Sequence, residues 1–506
     1  MLFILAPLLP VIGGILISVL KMENKARHTY YTLLLAVTDI LALAAAFLGE
    51  EGRAVTLLHF SENVTLSFGM DTVGKVFLVA VIALYSAAII YSFAYMQIEE
   101  RENVFFAFTF VSMGAMIAVC EAANLATVYF AFELATLSTV PMVLHDRTKE
   151  AVAAGMKYLF YSMGGALMGL LGVFFVYAYA GDSASFVQGG FLDMAKVAGH
   201  ENLLRGVILA AIIGFGTKAG MYPMHGWLPA AHPIAPAPAS ALLSGIIAKA
   251  GIIAVIRLVF FSVGADFIRG TFVQYTWMTL ALMTVFMGSM MAFREKVTKK
   301  RLAYSTVSQI SYIMTGLAFL SPDGIAGALL HVLQHAASKG TLFLAAGVFI
   351  FKLGSHHVSE LKGIGKKMPI TMWCFMFASL SLVGIPPMGG FSAKWYLALA
   401  SLGNGYGVLS VLPVVILLIS ALLTAGYLLP VAIDAFFPGH DKAEAGGAHA
   451  ASEKQSTEKV NRAAAENTPA VRESALMYVP MIILSIAAVL VGVFGSQIAD
   501  LMITFF

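Results

Sequence analysis

The sequence predicts an all-α polytopic membrane protein of about 14 transmembrane helices, with two inverted five-helix repeats, a broken helix in each, and a small external β-hairpin. Three observations lead there. Of 506 residues, 59% are hydrophobic and only 12% charged, about half the charged share of a soluble domain. Apolar runs recur along most of the chain, each long enough for the roughly 20 residues that cross about 30 Å of hydrocarbon. Two of those runs are interrupted, at corresponding places, by glycine and proline beside a lysine.

The expected spans are 2–20, 30–49, 72–96, 104–120, 122–144, 151–180, 203–223, 237–262, 271–293, 301–320, 324–351, 368–400, 406–437 and 475–503. The first has its basic residues, Lys21, Lys25 and Arg27, after the apolar run, the wrong order for a cleaved signal peptide. Between the second and third spans, VTLLHFSENVTLSFG alternates around a polar Ser-Glu-Asn turn, the pattern of a hairpin. Five regions follow: 1–103 with the first three helices and the hairpin, repeats over 104–262 and 271–437, a flexible polar linker over 438–474, and a last helix in 475–506. The linker is Ala-rich and mixed in charge, a composition that cannot build a core. Alternate loops, beginning with 21–29, hold roughly 20 Lys and Arg against about three in the others, so both termini are expected outside the inner membrane.

Cys120 and Cys374 lie in or beside spans and form neither a disulfide framework nor a metal-ligand set. The net charge of +3 says little about partners. The ionisable residues inside spans say more: Asp39, Glu133, Lys157, Lys218, Lys249, Arg257, His331, His335, Lys339 and Lys394. A charge at mid-membrane costs at least a few kcal/mol, so each is a functional candidate. Lys157 and Arg257 lie near expected helix ends, where a long side chain can snorkel. Asp39, in LLLAVTDILAL, has the simpler reading of a hydrogen bond within the bundle.

The two interrupted spans are GFGTKAGMYPMHGWLP, with Lys218 among Gly214, Gly216, Gly220 and Pro223, and LVGIPPMGGFSAKWYLA, with Lys394 after Pro386, Pro387, Gly389 and Gly390. Each is the fourth member of its five-helix block. Paired broken helices in two halves point to a transport path at the midplane.

In the eleventh span, LLHVLQHAASKGTLFLAAG places His331, His335 and Lys339 at intervals of four. These share one helix face and spread over about 12 Å at ~1.5 Å per residue. Direct proton transfer needs contacts near 3 Å, so water must bridge successive groups. Histidine, with an unperturbed pKa of about 6.5, can both take and give a proton near neutrality. Lysine, at about 10.4, releases one only when burial disfavours the charge.

The segments FELATLSTVP, KAGMYPMHGWLPAAHPIAPAPASALLSGIIAKAG, KKRLAYSTVSQISYI, HVLQHAASKGTLFLAAG and LVGIPPMGGFSAKWYLA resemble the antiporter-like subunits shared by respiratory complex I, membrane-bound hydrogenases and Mrp-type sodium/proton antiporters. The likeness is collinear from about residue 70 to 435 and implies a proton path. It implies that Glu133 is the glutamate of the fifth helix, Lys218 the lysine of the broken seventh and Lys249 that of the eighth. It further implies that His331, His335 and Lys339 form the eleventh-helix relay, and that Lys394 is the ionisable group of the broken twelfth, which is glutamate in some members. One departure is visible: LPAAHP has Ala230 and Ala231 where many relatives place an acid, leaving His232 as an accessory candidate.

The expected function is therefore a proton-translocating, antiporter-like subunit of a multisubunit membrane complex of complex I or hydrogenase type. A closed Glu133–Lys218 pair would hold the proton, and an open one would release it toward Lys249. The D-type component of an Mrp-type sodium/proton antiporter is the alternative, since HHVSELKGIGKKMPITM and Lys394 resemble the D-type proteins of those antiporters. A non-pumping scaffold is the reading from another class. No nucleotide, cluster or haem motif is present, so no cofactor or metal is expected and redox chemistry would belong to partner subunits. Those partners would include further antiporter-like subunits. His and Lys are poor ligands for sodium, so any sodium path is expected in a partner.

Overall fold

The computed structural model describes residues 1–506 except 21–22, 51, 62–63, 98, 182–183, 404, 406–409, 439–472 and 505–506. Most of the expected linker lies outside the described residues, as do Glu62 and Asn63 of the expected hairpin turn.

Long apolar stretches set the first helices, α1 (Leu2–Val19), which runs through Pro7 and Pro10, and α2 (Asn24–Leu48). Strands β1 (Val55–His59) and β2 (Thr65–Phe68) then pair antiparallel, with a register shift between Thr56 and Leu58. Helices α3 (Thr72–Tyr95), α4 (Glu102–Cys120), α5 (Leu125–Val143) and α6 (Lys149–Ala178) follow. Three of these starts, those of α3, α5 and α6, are fixed by side chains that accept orphan backbone N–H groups. Asp71 accepts from Gly74, Asn124 from Thr127 and Thr148 from Ala151.

After the short α7 (Met194–Val197), α8 (Glu201–Lys218) ends inside the expected seventh span, 203–223, and α9 (Leu228–Ile234) begins beyond it. The eighth, expected as one helix over 237–262, is split. It consists of α10 (Ala237–Gly245), a 3-10 turn at Ile247–Lys249, α11 (Ala250–Ile256) and a π-helical turn at Arg257–Val263. Ile246, with φ −142° and ψ −40°, departs from helical geometry and makes the break.

Helices α12 (Ala265–Ile268), α13 (Phe272–Arg294), α14 (Thr298–Ala318) and α15 (Pro322–Leu353) lead into the second half. Beyond the one-turn α16 (Ile364–Lys367), the twelfth span divides into α17 (Pro369–Val383) and α18 (Gly389–Gly403). Helices α19 (Val411–Phe436), α20 (Ala475–Val493) and α21 (Gly495–Ile503) close the described chain.

Eleven helices among the described residues are long and apolar enough to cross a bilayer. The eleven include the split eighth span, taken whole over Ala237–Val263; the remaining expected spans are the broken seventh and twelfth and α14, whose hydroxyls and basic first turn dilute its apolar character. Helix α15 is the hub, packed against α3, α10, α14, α17, α18 and α20. Small residues permit that crowding: a Cβ on Gly340 would lie 2.4 Å from Leu84, and one on Gly347 2.4 Å from Ala237. On the outer face of α6, Phe160, Leu167 and Phe174 are exposed at intervals of seven, a surface suited to lipid or to a partner subunit.

Candidate functional site

Lys218 is the last residue of α8, and the chain then runs non-helically to α9. Gly220 turns the backbone through φ +74°, a left-handed conformation that glycine adopts without steric cost. The Lys218 side chain is fully buried. Its Nζ donates to Thr136 Oγ1 at 2.9 Å and to the Tyr158 hydroxyl at 2.5 Å, and it sits 4.8 Å from the centre of the Tyr158 ring. Of the two expected arrangements of the Glu133–Lys218 pair, closed and open, the structure has the open one. Among the described residues Glu133 forms no ion pair with Lys218, and its Oε1 has no hydrogen-bond partner. Glu133 lies three residues before Thr136 on α5, and Thr136 with Tyr158 takes the place beside the ammonium.

Lys249 occupies the end of the 3-10 turn. The break in the eighth span frees carbonyls at the end of α10, and Lys249 Nζ donates to Gly245 O and to Ser244 O, the latter at 3.2 Å. A cation at a helix C-terminus also meets the negative end of the dipole. The same Nζ lies 2.7 Å from His335 Nδ1, so the eighth and eleventh spans meet through their ionisable groups. With Lys249 protonated, Nδ1 accepts and the ring proton is assigned to Nε2.

The row on α15 then continues in contact. The His335 and His331 rings are 6.1 Å apart, and His331 stacks on Tyr312 of α14 at 5.3 Å and 7°. Lys394 Nζ approaches that Tyr312 ring at 5.2 Å. Lys394 belongs to α18 but reaches back across the break, donating to Leu382 O and Val383 O, both at 2.7 Å, at the end of α17. Gly384 makes the turn at φ +91°, and a Cβ there would stand 3.0 Å from Lys394 Cδ. Lys339 leaves the row sideways and donates to Leu302 O at 3.0 Å. Lys249, His331, His335 and Lys339 all have no solvent exposure. Among the described residues no side-chain hydrogen bond joins Lys218 to Lys249, although α8 and α11 are tightly packed: a Cβ on Gly251 would lie 3.1 Å from Lys218 Cβ.

The accessory candidates divide. His232 is fully buried on α9, stacked on Phe343 at 4.8 Å, with both ring nitrogens unpartnered. Lys299, absent from the sequence-based set, donates to Pro233 O and Ala235 O just after it. Asp39 accepts from Ser86 at 2.7 Å, away from the relay. Lys157 is exposed on α6. Arg257 does not reach solvent; it is 2% exposed and paired with Asp71 at the start of α3.

Sequence reasoning missed Tyr158 and Tyr312, because an aromatic in an apolar helix reads as core. Tyr158 directly follows Lys157, and a step of about 100° around the helix turns it inward. The segment KKRLAYSTVSQISYI held the signal for Tyr312.

With this geometry in place, similarity to known proteins becomes informative. Residues 122–423 match the family described as NADH:quinone oxidoreductase/Mrp antiporter, TM. The chain belongs to this family. NADH-quinone oxidoreductase subunit N of Desulforudis audaxviator is 34% identical over 439 residues, covering 84% of this chain and 81% of that protein. Hydrogenase-4 component B of Escherichia coli is 31% identical over 354 residues, covering 66% of this chain and 51% of that protein. A chain of the Mrp complex of Dietzia sp. DQ12-45-1b has the same fold, with a TM-score of 0.80 at 21% identity over 99% of this chain and 96% of that one. This is a multi-pass membrane protein of the antiporter-like class, and its structural relatives sit in multisubunit membrane complexes.

Proposed function

We propose that this chain carries protons across the cell's inner membrane, within a complex I-like or hydrogenase-type assembly, along Glu133, Lys218, Lys249, His335, His331, Lys339 and Lys394. The observation that carries the reading is the 2.7 Å approach of Lys249 Nζ to His335 Nδ1. It brings an amine and an imidazole, two groups able to exchange a proton, into direct contact in a region closed to bulk solvent. The halves 104–262 and 271–437 act as the two repeats, each supplying a broken helix.

Lys218 works as a switch. Bound to Thr136 and Tyr158 it stands apart from Glu133; moving one turn along α5 would bring the pair together. Such a charge pair favours the protonated amine, and its separation favours release. Water bridges the remaining gaps. His232 and Lys299 extend the path from Lys339, and Lys157 and Asp39 stand outside it. Both termini face outward, and the other subunits include further antiporter-like chains. Amines and imidazoles suit protons and not sodium, so any sodium path lies in a partner. If the assembly is instead an Mrp-type antiporter, as the fold likeness to the Dietzia chain would suit, this chain keeps the same proton path.

The test is Lys218→Ala in the assembled complex, set against Lys442→Ala in the 438–474 segment. Proton translocation by membrane vesicles should be lost in the first and unchanged in the second. Normal translocation by an assembled Lys218→Ala complex would remove Lys218 from the path and favour a scaffold.

A further inference from the structure

Helix α14 carries KKRLAYSTVSQISYI, of which the relay uses Tyr312 and the Leu302 carbonyl. Its hydroxyl residues Ser305, Thr306, Ser308, Ser311 and Thr315 are fully buried as well. Ser311 and Thr315 bond back to their own helix, at Val307 O and Ser311 O. Ser305 and Ser308 turn to α19, meeting Tyr427 and Ser420. Thr306 faces the lysines.

The Thr306 hydroxyl donates to Leu302 O at 2.9 Å, the same carbonyl that accepts from Lys339 at 3.0 Å. Thr306 Oγ1 also lies 2.7 Å from Ser244 Oγ. Ser244 in turn offers its carbonyl to Lys249 at 3.2 Å. Two hydroxyls thus stand between two buried amines that no side-chain hydrogen bond joins among the described residues. A hydroxyl has one proton to donate. Thr306 gives its proton to Leu302 O, so Ser244 is the donor within the pair. That order suits a charged Lys339. A neutral Lys339 has a lone pair, which can take the Thr306 proton in place of the carbonyl.

We propose that Ser244 and Thr306 form a hydroxyl bridge passing protons between Lys249 and Lys339, in series with the step between Lys249 and His335. The inference rests on the proton reading above. In the transfer, the Lys249 ammonium turns from the Ser244 carbonyl to the hydroxyl of the same residue. One Lys249 N–H bond breaks as a proton joins Ser244 Oγ. The Ser244 proton moves to Thr306 Oγ1, and the Thr306 proton forms a new N–H bond on Lys339. One amine is neutralised and the other charged, both hydroxyls end as they began, and no electrons change hands. Hydroxyls do not hold charge near neutrality, so the protons move together. Reversing the hydroxyls resets the bridge.

The experiment measures proton translocation by the reconstituted complex with a pH-sensitive dye, in H₂O and D₂O. Thr306→Val keeps the side-chain shape and deletes the hydroxyl; Ser244→Ala deletes the other. Each should lower the rate about tenfold, with the double variant no worse than either, because they interrupt one element. The solvent isotope effect should shrink in each, and Thr306→Ser should restore both rate and isotope effect. Thr315→Val, the same change on the same helix, should leave both unchanged. Wild-type rate and isotope effect in Thr306→Val, or a Thr306→Ser variant as slow as Thr306→Val, would overturn the bridge. Should Thr306→Val not assemble, Ser244→Ala decides by the same criteria. Lys249→Met separates the two levels: full translocation there defeats the proton reading itself, whereas loss there beside normal hydroxyl variants defeats the bridge alone.

Discussion

Lys218 and Lys394 each stand beside a broken helix, under the ring of a tyrosine, but their ammonium groups are held differently. Lys218 ends the helix before its break and reaches sideways to hydroxyls on α5 and α6. Lys394 follows its break and reaches back to two backbone carbonyls at the end of α17. Hydroxyls can rotate and can accept or donate, so they can serve both protonation states of an amine. Carbonyls only accept, and those at a helix end add a fixed dipole favouring positive charge. The comparison teaches that Lys218 sits among groups that would allow it to change partners, with Glu133 one turn away, while Lys394 is held in place by fixed acceptors, whatever proton traffic the proposed path brings.

The sharpest way to break this contrast is at Lys394. Lys394→Met removes the titratable group and should abolish translocation in an assembled complex. Lys394→Glu should keep part of the rate, lowered about tenfold, equivalent to about 1.4 kcal/mol on the barrier, because only a protonated carboxyl can donate to Leu382 O or Val383 O. Equal activity of the Met variant and wild type in vesicle assays would show that protons bypass this lysine. At the other break, Tyr158→Phe removes one partner of Lys218 but leaves Thr136, so a smaller fall of about fivefold is expected, near 1 kcal/mol for one hydrogen bond. A fall as deep as that of Lys218→Ala would mean the phenol itself carries the proton.

The turn at Gly384 offers a structural probe. Gly384→Ala should destabilise by about 1–2 kcal/mol through left-handed strain, read as a lower unfolding temperature in detergent. Gly220→Ala adds to the same strain a Cβ 2.2 Å from Leu228 Cδ1, so its loss should be larger, and an equal loss would show that Leu228 yields freely. Asp39→Asn should have the smallest effect, within about twofold in rate, because its bond to Ser86 lies outside the proposed path and an amide oxygen can accept the same bond.

The legibility of the sequence varied in a physically sensible way. The row His331, His335, Lys339 follows from a four-residue period on one helix, a local property. Lys218 and Lys394 were marked by adjacent glycine and proline, also local. Local signals failed at Ile246, where a β-branched residue with no proline nearby breaks the eighth span and turns Lys249 onto the α10 carbonyls. They also failed for contacts between distant segments: Lys218 with Tyr158, His331 with Tyr312, Thr306 with Ser244. Those depend on how helices pack, which periodicity does not encode. The Glu133–Lys218 pair was placed by family resemblance and expected to close and open; that Thr136 and Tyr158 hold the ammonium of the open pair was not legible.

The most direct test of the central claim is His335→Phe in the assembled, reconstituted complex. Phenylalanine keeps a ring beside His331 but offers no nitrogen to Lys249 Nζ, now 2.7 Å from His335 Nδ1. Proton translocation should fall at least tenfold, about 1.4 kcal/mol or more on the barrier, with assembly intact. A His335→Phe complex that assembles and pumps at the wild-type rate would contradict the account.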